Sequence, residues 1–178
     1  MRCDPYLMFV SIVVLGFLIL SIHPSRRGEN EHRIPCVCNV RQIGLACKQY
    51  AIDHQDHFPN SFLELIPDHY LRVDRIYLCP DHPPPKEQLT EKNLEQLSSY
   101  ILVKNLTEKA DSDMPLVIEK PYMHKDGGNV FFVDGHASWV DKKELRELYK
   151  KAGIDAEILK KKSEERSIFQ KIFDYFHF

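Results

Sequence analysis

The apolar positions of this chain form one uninterrupted run near its start and several shorter periodic segments after it. Residues 6–22 carry no charge, and a helix that spans a bilayer needs about 17–25 apolar residues. No small-x-small cleavage site follows the run, which favours an uncleaved anchor over a cleaved signal peptide or a buried helix. We therefore predict a flank at residues 1–5, a transmembrane anchor at 6–22 and a polar linker at 23–35.

Helical spacing follows the linker, from residue 36 to about residue 57, with Ile43 and Cys47 on its apolar side. Ser61 is placed to cap a second, short helix at residues 62–66. The predicted domain therefore begins with a long helix that has one side suited to burial.

The next apolar segments are short and rich in β-branched and aromatic residues, which predicts strands at residues 98–103, 114–118, 130–133 and 136–140. Asp134-Gly135 supplies the two residues of a type I′ hairpin turn. Residues 141–178 are predicted to form a charged amphipathic helical tail, which could pack on the domain, on a partner or on a membrane surface. The order predicts an α+β fold: a transmembrane helix, then one long helix packed on a small antiparallel sheet at 36–140, then the tail.

Composition and motifs limit the classes of function that fit this chain. The formal net charge is −2, and the absence of a basic bias argues against a nucleic-acid partner. The sequence has no phosphate-binding glycine loop, nucleophile elbow or paired-histidine helix motif. His124 could act as a base with Asp126 or Asp134, but no nucleophile or oxyanion donor accompanies it, and no enzyme activity is predicted.

The hairpin region carries the most specific pattern in the chain, because nine residues separate His124 from Asp134-Gly135. The further residues of this pattern are Glu119-Lys120-Pro121, Gly127-Gly128-Asn129, His136 and Trp139. Three other segments accompany it: the helix from Cys36-Val37-Cys38-Asn39 through Gln42-Ile43-Gly44-Leu45-Ala46, the step Leu78-Cys79-Pro80, and Ser98-Ser99-Tyr100. Together these segments resemble bacterial pseudopilin-like proteins with a prepilin-type, processing-associated His-x9-Asp-Gly domain, a family similar to type II secretion protein G.

The resemblance implies a pilin-like domain and a membrane-anchored structural or interaction protein related to type II secretion or type IV pilus systems. The implied partners are the cytoplasmic membrane and other pseudopilins or secretion-system subunits. The resemblance implies a single-pass protein of the bacterial cytoplasmic membrane whose domain is periplasmic. In contrast, the positive-inside rule favours a cytoplasmic domain, because Arg26, Arg27 and Arg33 follow the apolar run. The prepilin peptidase motif is not recognisable, since Gly16-Phe17-Leu18-Ile19-Leu20 lacks its Thr and Glu. The alternative is a stand-alone anchored module that binds a metal or another ligand and has no assembly role.

The cysteines offer two kinds of site. In an oxidising compartment we expect a disulfide between Cys36 and Cys79, with Cys38–Cys79 as the competing pairing. The alternative is a zinc site formed by Cys36, Cys38, Cys79 and His82, since thiolate and imidazole suit tetrahedral zinc. Free thiols remain a third possibility.

The hairpin offers a second candidate metal site. His124, Asp126, Asp134 and His136, with Asn129 nearby, could hold a hard cation such as calcium. The structural alternative is that Asp134 and Gly135 only form the turn. No cofactor is predicted beyond these calcium or zinc alternatives.

Overall fold

Helix α1 (Arg33–Asp53) is the longest element of the computed structural model, which describes residues 33–161 and residue 165. The buried residues of α1 recur at intervals of three or four and include Cys36, Val40, Ile43, Cys47 and Ala51. The predicted helix is confirmed, although it starts earlier and ends before Gln55 and Asp56, which take positive φ values of 56° and 64°. Pro35 lies in its first turn, where a missing N–H removes no helical hydrogen bond.

Three short helical segments connect α1 to the sheet: the 3-10 helices Phe62–Leu65 and Arg75–Tyr77, and helix α2 (Leu94–Leu97). The Ser61 Oγ accepts a hydrogen bond from the Leu63 N–H at 3.1 Å, as predicted for a cap. The helix that it caps is a 3-10 turn and buries Phe62 and Leu65.

The sheet is a four-stranded antiparallel meander in the order β1 (Tyr100–Leu102), β2 (Pro115–Glu119), β3 (Gly127–Phe132) and β4 (Ala137–Asp141). Strand β3 begins earlier than predicted, because Gly127 pairs with Asp141 and Gly128 with Val140. Every residue of β2 and β3 is buried, which requires cover on both faces of the sheet.

The hairpin between β3 and β4 differs from the prediction. The Gly135 N–H donates to the Phe132 carbonyl at 3.0 Å, and the Phe132 N–H donates to the His136 carbonyl at 2.9 Å. Gly135 has a φ of 98°, whereas Asp134 is not among the described residues with positive φ. A type I′ turn needs positive φ at both central residues, so that prediction is wrong. The loop has three residues, with a β-turn centred on Val133 and Asp134 and then the glycine.

Helices cover the two faces of the sheet. Helix α1 packs on one face, where Gly44 lies against the Phe131 ring, and helix α3 (Lys142–Lys151) packs on the other face through Leu145 and Tyr149. The predicted cap of α3 is confirmed, because Asp141 Oδ1 accepts from two N–H groups of the first turn. Residues 156–161 are again helical, and the rest of the predicted tail lies outside the described residues apart from residue 165.

The predicted membrane helix requires a correction. No helix among the described residues is long and apolar enough to cross a membrane, and the longest, α1, carries Arg41, Lys48 and Asp53. This finding contradicts the prediction of a fold that opens with a transmembrane helix and of a single-pass membrane location. The segment assigned to the anchor, 6–22, lies outside the described residues, as do residues 1–5 and the linker before Arg33.

Candidate functional site at the helix–sheet junction

Two cysteines from distant parts of the chain meet where α1 crosses the sheet. Cys36 lies near the start of α1 and Cys79 follows the second 3-10 helix; their Sγ atoms are 2.8 Å apart and both residues are buried. The Cys79 N–H donates to Ser99 Oγ at 2.8 Å, and Asn39 Nδ2 donates to the Leu78 carbonyl at 3.0 Å. These bonds hold the proline-rich loop against both the helix and the sheet. Both thiols are free in the structure, and the predicted disulfide remains a prediction.

His124 brings an imidazole to the two thiols from the loop between β2 and β3. Its Nε2 lies 3.5 Å from Cys79 Sγ and 3.2 Å from Glu119 Oε1, and its Nδ1 lies 3.7 Å from Asp81 Oδ2. The Trp139 ring packs edge-on against the imidazole at 5.2 Å between centroids. The histidine therefore sits between one thiol and two carboxyl groups, with its ring orientation set from both nitrogens.

Glu119 is the most deeply buried acid of the site, with an exposed fraction of 0%. Its Oε2 accepts from the Asn129 N–H at 2.9 Å and from Asn129 Nδ2 at 2.8 Å, while its own carbonyl accepts from the Tyr149 hydroxyl. Buried carboxylates persist in proteins when hydrogen-bond donors surround them. Glu119 thus joins β2 to β3, to the His124 loop and to α3. We refer to Cys36, Cys79, Asp81, Glu119, His124 and Asn129 as the junction cluster.

The charge states of the cluster follow from these contacts. Hydrogen bonds to Cys79 and then to Glu119 raise the pKa of His124 to about 10, against the opposing effect of burial. The hydrogen bond with Cys36, together with burial, raises the pKa of the Cys79 thiol well above its usual range. The contact with Cys36 and burial therefore both favour the thiol form of Cys79 over the thiolate. A thiol in that state is a poor nucleophile, because the thiolate is the reactive form.

Four residues of the cluster could hold a metal ion. One potential ligand atom from each of Cys36, Cys79, Asp81 and His124 lies within 4.8 Å of the others. We call these four residues the ligand group. Two sulfurs, one imidazole nitrogen and one carboxylate oxygen are donors that proteins use for zinc and related transition metals.

The predicted zinc set shares only two residues with this group. Cys38 is exposed, because two residues along a helix turn its side chain about 200° away from Cys36. The same orientation argues against the Cys38–Cys79 pairing. His82 Nε2 contacts the Met123 carbonyl, and the Cys-Pro-Asp-His segment contributes Asp81 instead. The geometry therefore replaces Cys38 and His82 with Asp81 and His124.

The second predicted set does not assemble. His124 precedes β3, and Asp134 and His136 follow it, so roughly 20 Å of strand separates the two ends. Asp134 Oδ1 accepts from the His136 N–H at 3.0 Å and lies 2.6 Å from His136 Nδ1. The backbone N–H of His136 is also the main cause that lowers the pKa of Asp134. Asp126 is exposed and contributes its backbone carbonyl to Lys142. The turn interpretation of Asp134 and Gly135 therefore agrees with the geometry.

The two glycines before Asn129 allow close packing beside the cluster. A Cβ on Gly127 would lie 2.0 Å from the Val140 carbonyl oxygen, and one on Gly128 would lie 3.0 Å from Leu145 Cδ2. The backbone of β4 therefore approaches Gly127 too closely for any side chain at that position.

Sequence reasoning did not find the role of two acids in this site. Glu119 was visible only as part of the resemblance, although a single charge at the end of an otherwise apolar strand is a usable signal of a paired buried acid. Asp81 carried no separate signal, because a proline-rich loop does not show which way its side chains point.

Comparisons of the chain with protein-family models, with curated proteins and with solved structures find no match.

Proposed function

We propose that this chain is a pseudopilin-like structural and interaction module of a type II secretion or type IV pilus system, and that it is not an enzyme. The observation that supports the proposal most directly is the junction cluster. Five residues of the family resemblance, Cys36, Cys79, Glu119, His124 and Asn129, come from three of its segments and meet in one cluster. Their contacts tie α1 to the proline-rich loop and the sheet, which is a structural role.

The outer surface of α1 favours an interaction role. Leu45 and Ile52 are large apolar residues with exposed fractions of 49% and 78%. A spacing of seven places them on the same side of the helix, opposite the buried face. Single exposed apolar residues are ordinary, but two aligned on the longest of the described helices form a surface suited to a helix from another subunit. The proposed partners are pseudopilins or secretion-system subunits that pack on this side of α1.

Site-specific cross-linking tests this proposal. A photoreactive amino acid in place of Leu45 or Ile52 in the full chain, expressed in its host cell, should capture a pilin-like subunit or a second copy. The same replacement at Leu63, which is 39% exposed on the 3-10 helix Phe62–Leu65, is the matched control. The proposal is rejected if positions 45 and 52 give no adduct, or give the same adducts as position 63.

A metal-binding module is a second candidate function, favoured by the ligand group. Its four ligand atoms converge within 4.8 Å, and two of them are sulfurs, which favours zinc over calcium because calcium takes oxygen ligands. Binding would require Cys36 and Cys79 as thiolates and His124 as a neutral imidazole, so metal uptake would release protons. A site with four protein ligands is typical of structural zinc and leaves no open position for a reaction.

Metal analysis of the full chain separates the three states of the cysteines. A zinc site predicts about one zinc per chain, lost in Cys36→Ser and in Cys79→Ser but retained in the control Cys38→Ser. A disulfide predicts no zinc, together with Cys36 and Cys79 thiols that react only after reduction and denaturation. If the protein contains no metal, and if Cys36 and Cys79 react after denaturation without reduction, both the zinc site and the disulfide are excluded.

A further inference from the structure

A cavity of about 910 Å³ lies beside the junction cluster, on the face of the sheet that α3 covers. Tyr122 and Met123 of the β2–β3 loop line one side, and residues 153–157 line another. Leu145 and Tyr149 of α3, both buried, also line it. The volume is within the range of about 300–1,000 Å³ found for ligand pockets.

The side chains that line the cavity carry more positive than negative charge. Leaving histidines aside, five basic side chains line the cavity and two acidic ones do. Of the two acids, Asp155 already accepts hydrogen bonds from the N–H groups of residues 157 and 158. Lys142, Arg146 and Lys150 recur every four residues along α3, so they form a row beside the apolar lining. Lys150 also pairs with Glu147 at 2.9 Å, an exposed contact that contributes little.

We propose that this cavity binds an acidic peptide segment of a protein partner in extended conformation. The row of cations repeats about every 6 Å along the helix axis, from four residues at 1.5 Å each. Same-face residues of an extended chain repeat about every 6.6–6.8 Å, so alternate carboxylates match Lys142, Arg146 and Lys150 in order. The intervening apolar side chains point away from this row and then face Tyr122 and Met123 of the β2–β3 loop, which are only partly buried. A compact anion would use one cation of the row and leave the apolar lining uncovered.

This inference names a partner class for the proposed interaction module and rests on that proposal. The probe is a blocked, fluorescently labelled peptide of alternating glutamate and leucine, and its glutamine–leucine counterpart is the reference. Binding to the full chain is measured by fluorescence anisotropy. Because exposed ion pairs contribute 0.2–1 kcal/mol, we expect Arg146→Gln to weaken binding by about 1.5- to 5-fold. A triple variant that also carries Lys142→Gln and Lys150→Gln should weaken binding by about 3- to 125-fold if the three contributions add. Lys143→Gln, on the same helix but not lining the cavity, is the matched control.

Three outcomes would overturn the inference. The glutamine–leucine peptide could bind as tightly as the acidic one, which would show apolar adsorption only. Lys143→Gln could weaken binding as much as Arg146→Gln, which would show unspecific attraction to a basic surface. Inorganic phosphate could displace the peptide at the ionic strength where sodium chloride does not, which would show a site for a small anion. If one of these outcomes occurs while Leu45 and Ile52 on α1 still give their specific cross-linked adducts, the cavity inference alone is rejected and the proposed function is retained.

Discussion

Replacement of Glu119 measures how much the junction cluster contributes to the stability of the fold. The side chain is fully buried, and its Oε2 accepts both hydrogen bonds from Asn129, at 2.9 and 2.8 Å, while Oε1 faces His124 Nε2 at 3.2 Å. Glu119→Ala leaves the two donors of Asn129 without an acceptor in a position that is 0% exposed. A buried donor left unsatisfied costs about 1–3 kcal/mol, and removal of one partner of a buried charged pair costs about 3–5 kcal/mol.

We therefore expect Glu119→Ala to lower the free energy of unfolding by about 4–6 kcal/mol, allowing for overlap between these contributions. Glu119→Gln keeps the volume and one acceptor oxygen for Asn129, and replaces charge-assisted bonds with neutral ones. Its expected effect is a loss of about 1–3 kcal/mol. Since a typical domain is stable by about 5–15 kcal/mol, the alanine variant should be close to unfolding.

Urea denaturation of each variant, followed by circular dichroism and by the fluorescence of Trp139, measures these differences. Trp139 is the only tryptophan of the chain and lies 5.2 Å from the His124 ring, so it reports on the cluster itself. Glu147→Gln is the matched control, because it removes the carboxylate partner of Lys150 at the surface and should cost under about 1 kcal/mol. The reasoning is refuted if the free energies of unfolding of Glu119→Ala and of that control differ by less than about 1 kcal/mol, because buried donors without an acceptor should cost more than this.

Three further outcomes are expected. Gly44→Ala should destabilise the fold by about 1–2 kcal/mol, because the added Cβ would lie 2.2 Å from the Phe131 ring. This cost should exceed the gain from the better helix propensity of alanine. A gain in stability in urea denaturation would contradict the close packing of Gly44 on Phe131. The Asp134 carboxyl should titrate in NMR below 3.8, and its low pKa should largely persist in His136→Ala, because the backbone N–H is the main cause. The stability that this carboxylate contributes is therefore present above pH 3.8 and lost as pH falls through its lowered folded-state pKa, a trend that acid titration should reproduce. The Cys47 thiol, whose pKa is raised by burial, should resist labelling until the protein unfolds; rapid labelling of the native protein would show an open core.

The elements that the sequence predicts well are those whose signals are local. The apolar spacing of α1, the Ser61 and Asp141 caps and the strands on either side of Asp134-Gly135 each depend on neighbours within one turn or one hairpin. The turn type was predicted wrongly because Asp-Gly fits both a two-residue and a three-residue loop, and strand pairing decides which forms. The membrane-helix prediction depended on one apolar run, and the finding for the described helices contradicts it.

By itself, the sequence determined the α+β class of the described domain, one long helix followed by short antiparallel strands, because hydrophobic period and capping residues act over a few positions. Only the tertiary structure decided which residues form the site. Cys38 is two residues from Cys36 in sequence and yet points away from it, whereas Cys79 and His124 are far away in sequence and lie beside it. Helix phase and strand register place these side chains, and both result from packing between distant segments, which a local pattern does not encode.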